Sequence, residues 1–333
     1  MKRCHFPSGA LVLVGVVTLG LSNSSIAQHA ESAQLIEEGR VLFAKVWTAS
    51  EGLGPRLNAR SCSGCHSTPD VGGSGTDSRA FVLVSPEVTD PTGGRVFRRF
   101  RVEQTGAVTE QPAPRNGTFR KAPSLFGSSV IEAVPETEFA GRAIARFGWK
   151  GRFATIEDAV EAAFVNELGL TSARYPDQPG SVARDQQMEL SRRQIQAVSA
   201  FVKSLAAPVK KTIPSDERAQ RLFRDVGCAA CHRPSFSYTE ERSLFPYTDL
   251  LVHDMGPGLA DGITEPSAGE RDFRTPPLWG IGRSGPPYLH DGRAKSLDDA
   301  IVLHGGEAES AVVAWRRLSA DDRNLLIDFL RSL

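Results

Sequence analysis

Apolar positions along this chain form one solid block and then a set of helical patterns that occurs twice. The block runs from Ala10 to Leu21, behind Lys2 and Arg3 and ahead of Ser25-Ile-Ala27. A basic start, a short apolar run and small residues predict a leader cut after Ala27, so residues 1–27 are read as a signal peptide. The block is shorter than the ~20 residues that cross a bilayer. No other segment is long and apolar enough to span one. The mature chain is therefore expected outside the cytoplasm, in the periplasm, with no membrane span after cleavage.

The repeated patterns set the domain organisation. Leu42-Phe43 lies in an apolar-periodic helix, and Leu222-Phe223 lies in another. Phe119-Arg120-Lys-Ala-Pro123 matches Phe273-Arg274-Thr-Pro-Pro277, and Trp149-Lys-Gly-Arg152 matches His290-Asp-Gly-Arg293. Each of the latter precedes a helix start, Thr155-Ile-Glu-Asp-Ala159-Val160 and Ser296-Leu-Asp-Asp-Ala300-Ile301. In both, a hydroxyl residue takes the N-cap position and acidic residues follow in the first turn. Both copies close on one helix pattern, Leu190-Ser191 to Leu205 and Leu318-Ser319 to Leu333. Ala206 to Ser215, with Pro208 and Pro214, reads as the linker. The first copy carries two insertions, Thr48 to Ser61 and Gly72 to Gly117, whose Gly, Pro, Ser and Thr content predicts loops.

Length agrees with this: 333 residues suit two domains. Lys and Arg total 39 and so do Asp and Glu, which argues against nucleic acid or an anionic membrane as the main partner. Of five cysteines, Cys4 leaves with the leader. The others form Cys62-Ser-Gly-Cys65-His66 and Cys228-Ala-Ala-Cys231-His232, both C-x-x-C-H. Thiols three apart on a turn entering a helix can both form thioethers with the vinyl groups of one haem, and the histidine then binds the iron. A thioredoxin-like reading lacks its βαβ context, and a shared zinc site explains neither histidine. The fold expected is mainly α: two tandem cytochrome c-like domains, each wrapping one covalently bound haem c, with long loops in the first. Their bounds are 28–207 and 208–333.

The sixth iron position separates a carrier from a catalyst, because a second strong ligand closes the iron and an open position admits substrate. Beyond His66 and His232, the mature chain offers His29, His253, His290, His304, Met188 and Met255. Met188 precedes the first closing helix and reads as core. His304 stands four residues after Ala300, and the matching position in the first copy is Ala163, which cannot bind iron. One closed and one open haem is an oxidase or peroxidase arrangement.

These residues resemble the bacterial di-haem cytochrome c peroxidase superfamily, which includes the MauG-type enzymes. Pro287-Tyr-Leu-His290-Asp-Gly is similar to its P-Y-x-H-D-G stretch, and Trp149-Lys-Gly-Arg152 to its W-D-G-R. The resemblance is closer to the di-haem oxidoreductase branch, also labelled thiol oxidoreductases. Gly52-Leu-Gly-Pro55, Phe147-Gly-Trp-Lys150, His253-Asp-Met-Gly256 and His304-Gly-Gly-Glu307-Ala308 carry it, from about Gly39 to the C-terminus. It implies a peroxidatic first haem and an electron-accepting second haem, with Trp149 between them. His304 falls where the peroxidases usually place a methionine ligand, and imidazole there would lower the potential. Met255 or His253 are the alternatives, while His290 aligns with Trp149 rather than with a ligand. Glu167 is the best match to the distal glutamate, with a spacing shorter by roughly two residues; Glu132 is a second candidate. The implied role is general acid–base: take a proton from peroxide and return it to the leaving oxygen.

The chain departs from the peroxidases in having no histidine between Ser67 and Cys228. That implies a first haem already open, or a ligand borrowed from the second half such as His253. Calcium between domains is common in the peroxidases, but no ligand set here calls for one. The expected function is a periplasmic di-haem c-type oxidoreductase that reduces peroxide with electrons from a small c-type cytochrome or a cupredoxin. The alternatives are MauG-like oxidation of a protein or organic partner, and a di-haem electron carrier without catalysis.

Overall fold

The structure is a computed structural model that describes residues 23–333 apart from 104, 140–144, 177–187, 212, 214–215 and 267, with backbone alone for 23–27. The leader up to residue 22 and Pro214 of the linker lie outside the described residues. The first half runs α1 (Asn23–Ala44), β1 (Arg56–Leu57), β2 (Phe81–Val84), β3 (Val96–Phe97), β4 (Phe100–Val102), β5 (Val108–Glu110), β6 (Thr118–Lys121), α2 (Ser128–Glu132), α3 (Ile156–Glu167) and α4 (Arg192–Ser204). The second runs α5 (Asp216–Asp225), α6 (Ser237–Glu240), β7 (Val252–Asp254), β8 (Asp272–Arg274), α7 (Ile281–Ser284), α8 (Leu297–Val302), α9 (Glu309–Arg317) and α10 (Ala320–Ser332). Helix dominates and sheet is modest.

The repeat packs as a repeat. Phe43 of α1 meets Phe201 of α4 with ring centroids 5.1 Å apart, and Phe223 of α5 meets Phe329 of α10 at 5.6 Å. Thr155 and Ser296 cap α3 and α8, accepting from Asp158 N at 3.1 Å and Asp299 N at 3.0 Å. Ser191 and Ser319 cap the two closing helices in the same way. Each cap satisfies an N–H that the first helical turn leaves without an internal partner. Gly39 lets α1 and α4 touch, since a Cβ there would overlap the Ala197 carbonyl oxygen.

Two main cores result. One gathers buried residues between Phe43 and Val202, the other between Ala219 and Leu333. A third, smaller core joins the halves: Ile131, Val134 and Phe139 pack against Phe236, Leu250 and Trp279. Burying those rings between the halves favours one fixed arrangement over two free ones.

The insertions are mostly irregular chain, but they also carry short strands that the loop reading did not include. With β6, these strands form two antiparallel sheets, ordered β1-β4-β5 and β3-β2-β6, with Leu57 opposite Phe100 and Leu83 opposite Phe119. The β-branched and aromatic runs Phe81-Val-Leu-Val84 and Val96-Phe97 supply the strands, and the Gly and Pro content supplies their turns. A third pair, β7 with β8, sets His253 opposite Phe273.

The matched stretches also shift by one. Leu125-Phe126-Gly127 and Leu278-Trp279-Gly280 each end on a left-handed glycine, φ 76° and 70°, before α2 and α7. Lys121 therefore corresponds to Arg274, and their bonding agrees. Lys121 N donates to His290 O and Arg274 N donates to Trp149 O, both at 2.7 Å.

Candidate functional site

Each C-x-x-C-H segment closes a tight turn. His66 N donates to Cys62 O at 3.0 Å and His232 N to Cys228 O at 2.9 Å, which sets each imidazole immediately after its cysteine pair. His66 Nδ1 lies 3.1 Å from Gly73 O, and His232 Nδ1 lies 3.0 Å from Tyr247 O. A carbonyl only accepts, so Nδ1 carries the hydrogen and Nε2 keeps its lone pair. Burial lowers both imidazoles, His232 to about 4, so they are neutral. A neutral imidazole oriented through Nδ1 is the form that ligates iron. Burial also pushes the Cys62 and Cys65 thiols up to about 12 and Cys228 to about 11, against thiolate chemistry.

The second site opens into a cavity of about 360 Å³ whose walls include Cys228, Cys231, His232, Met255 and His304. His304 repeats the proximal pattern: Nδ1 lies 2.6 Å from Ala300 O, and burial lowers its pKa. It lies close enough to His232 for a charge on one to disfavour a charge on the other. These residues fit a haem: Cys228 and Cys231 would hold it by thioethers, and His232 and His304 would offer it imidazole nitrogens.

His253, the alternative ligand, is held by two carboxylates. Its Nε2 lies 2.8 Å from Asp249 and its Nδ1 2.8 Å from Glu307. The bond to Asp249, then one with Cys231, raises it to about 11, which favours the imidazolium, a form with no lone pair to give. Met188, read as core, is instead 36% exposed.

The first site differs. From Ser67 to residue 187 the chain contains neither histidine nor methionine. Glu167 ends α3, and its charge reaches the Cys65 thiol. Burial pushes its carboxyl up to about 7, while the Asn58 amide bond, 2.9 Å from Asn58 Nδ2 to Glu167 Oε2, pulls it down. Asp90 raises it further and Arg98 lowers it. Glu132 is committed elsewhere: it accepts from Ile156 N at 2.7 Å and pairs with Lys203 at 2.7 Å.

Trp149 stands where the halves meet. Its Nε1 donates to Lys121 O at 2.7 Å, and its ring meets His290 edge-on at 6.3 Å. His290 stacks on Phe273 at 4.0 Å and 22°, and its buried Nε2 makes no hydrogen bond among the described residues, with Asp291 3.9 Å away. Trp149 also lines the cavity of the second site. Pro123, two residues on from Lys121, presents its carbonyl to His66. A buried ionic cluster holds this junction. Arg120 pairs with Asp261 at 2.7 Å and Glu265 at 2.5 Å, and Lys150 pairs with Asp261 at 3.2 Å.

A family model described as "Di-haem oxidoreductase, putative peroxidase" matches residues 106–333, two thirds of the chain. The chain belongs to this family. Among curated proteins this di-haem oxidoreductase is similar to the cytochrome c peroxidase Ccp of Escherichia coli (strain K12), 22% identical over 213 residues. That match covers 56% of the chain and 44% of the relative. It is also similar to the cytochrome c551 peroxidase of Pseudomonas aeruginosa, 26% identical over 152 residues and 42% of each protein. The chain thus spans under half the length of the curated relatives it matches. In fold it is similar to the diheme peroxidase BthA of Burkholderia thailandensis E264. That likeness has a TM-score of 0.51 and 18% identity, covering 90% of this chain and 86% of the other.

Four residues that bear on the candidate sites carried no motif in the sequence: Asn58, Asp90, Arg98 and Asp261. Only Asn58 had a local signal, lying three residues past Gly52-Leu-Gly-Pro55.

Proposed function

We propose that this chain is a periplasmic di-haem c-type cytochrome that reduces peroxide with electrons from a small c-type cytochrome or a cupredoxin. On this reading it is exported with its leader cut after Ala27, and folds as two cytochrome c-like domains, 28–207 and 208–333. Cys62, Cys65 and His66 hold one haem; Cys228, Cys231 and His232 hold the other. His304 closes the second iron, with Met255 in reserve. The observation that carries this reading is the difference between the sites. The second has a spare neutral imidazole in its cavity, and the first has a carboxyl titrating near neutrality.

When bound, haem supplies the redox centre at which the O–O bond is cleaved. The balance is hydrogen peroxide plus two electrons and two protons, giving two waters. Glu167, with its pKa near 7, is matched to both halves of the proton movement at neutral pH. As carboxylate it takes the proton of one peroxide oxygen, and as acid it returns it to the oxygen that leaves as water. Trp149 offers an aromatic step between the halves, bonded on one side to Lys121 and open on the other to the second cavity. His66 and His232, oriented through Gly73 O and Tyr247 O, are ready to bind iron without rearranging.

Glu167→Gln tests the reading. Both haems should attach as before, while peroxide turnover falls on the order of 10²–10⁴-fold, the usual span for a general acid–base. Unchanged turnover would remove Glu167 from the mechanism.

A further inference from the structure

The segment Gly54–Ala59 grips the C-terminal end of α3. Gly54 N donates to Leu168 O at 3.0 Å, Asn58 N to Glu167 O at 2.7 Å and Ala59 N to Glu167 O at 3.0 Å. These bonds satisfy carbonyls that a helix end leaves without internal partners. The Asn58 side chain is held from both ends. Its Oδ1 accepts from Arg99 N at 2.9 Å, and its Nδ2 donates to Glu167 Oε2 at 2.9 Å. Its orientation follows from chemistry: Arg99 N–H is only a donor, so the amide oxygen must face it and the NH₂ must face Glu167.

We infer that Asn58 is the positioning residue of the first site, fixing the direction of the Glu167 carboxyl and favouring its ionised form. The inference rests on the acid–base reading of Glu167 and deepens it. A rigid amide donor on one carboxylate oxygen leaves the other as the atom free to exchange a proton. The donor also offsets the burial that disfavours the charge. The charged groups reaching this carboxyl are Asp90, which raises its pKa, and Arg98, which lowers it; its own charge reaches the Cys65 thiol. The bond spans 109 residues, so it joins the first insertion to the helix that carries the acid.

Asn58→Asp is the informative change. The new carboxylate still accepts from Arg99 N, but meets Glu167 with like charge. The holoprotein is followed by infrared spectroscopy, without peroxide, at the carboxylic C=O band that is missing in Glu167→Gln. Its pH midpoint should rise by about one unit or more, since like charges this close disfavour ionisation. The acid limb of peroxide turnover should move with it. Should Asn58→Asp not fold, Asn58→Ser is too short to reach Glu167 and should give a smaller rise. An unmoved midpoint in a folded variant, with turnover reduced equally at every pH, overturns the inference. If Glu167→Gln keeps full turnover while the band still moves in Asn58→Asp, the positioning stands and the acid–base reading falls.

Discussion

His66, His232 and His304 each offer Nδ1 to a main-chain carbonyl, His253 gives both nitrogens to carboxylates, and His290 Nε2 makes no hydrogen bond among the described residues. The residue type alone gave six further ligand candidates, while second partners sort them, and partners come from distant segments. The cysteine motifs were legible because their chemistry lies within five consecutive residues. Glu167, the proposed acid, was legible only by resemblance, because Asn58 and Glu167 meet across 109 residues. His290 carries a prediction of its own. Burial lowers it to about 4 from an ordinary 6.5. The unfolded chain therefore takes up this proton as pH falls through about 6.5, and the folded chain only near 4. Stability from this residue is whole above the upper value and is lost on the way down. His290→Phe, which keeps a ring on Phe273, should lose less stability as pH falls below about 6.5. Parallel pH curves from denaturant titrations of the two proteins would contradict this.

At the scale of elements, the closing helices and their caps were legible because period and cap lie in one short segment. The sheets of the insertions were not. Their strands are two to four residues long, too short for alternation to stand out against the surrounding Gly and Pro. Pairing across the insertion decides them instead, as with Leu83 between Phe97 and Phe119. The contact of α1 with α4 was equally hidden, since Gly39 looks like a weak point in a helix until Ala197 lies against it. Gly39→Val should push these helices apart and cost about 1–3 kcal/mol by overpacking. Differential scanning calorimetry of the holoprotein should show a midpoint several degrees lower. An unchanged midpoint would mean that the helices do not depend on this contact.

Over the whole molecule, the two halves share one plan and differ at the points that matter for chemistry. Trp149 and His290 occupy matching loops, closed by the bridges Phe147–Phe153 and Tyr288–Ala294, and they meet face to edge at the junction. Arg120 and Lys150 reach across to Asp261 in a buried cluster, where losing one partner typically costs 3–5 kcal/mol. That favours a fixed path between the halves over two independent units. On the proposed reading, the divergence lies in what each half offers beside its proximal histidine. His304 stands in the second half where the first has Ala163, and Glu167 with Asn58 equips the first. The account rests on that asymmetry. Low-temperature EPR of the as-isolated ferric protein, before and after peroxide, tests it most directly. One high-spin and one low-spin signal, with the high-spin signal consumed by peroxide, is the result expected. Two low-spin signals that peroxide leaves unchanged, before and after partial reduction, would contradict it and make the protein an electron carrier.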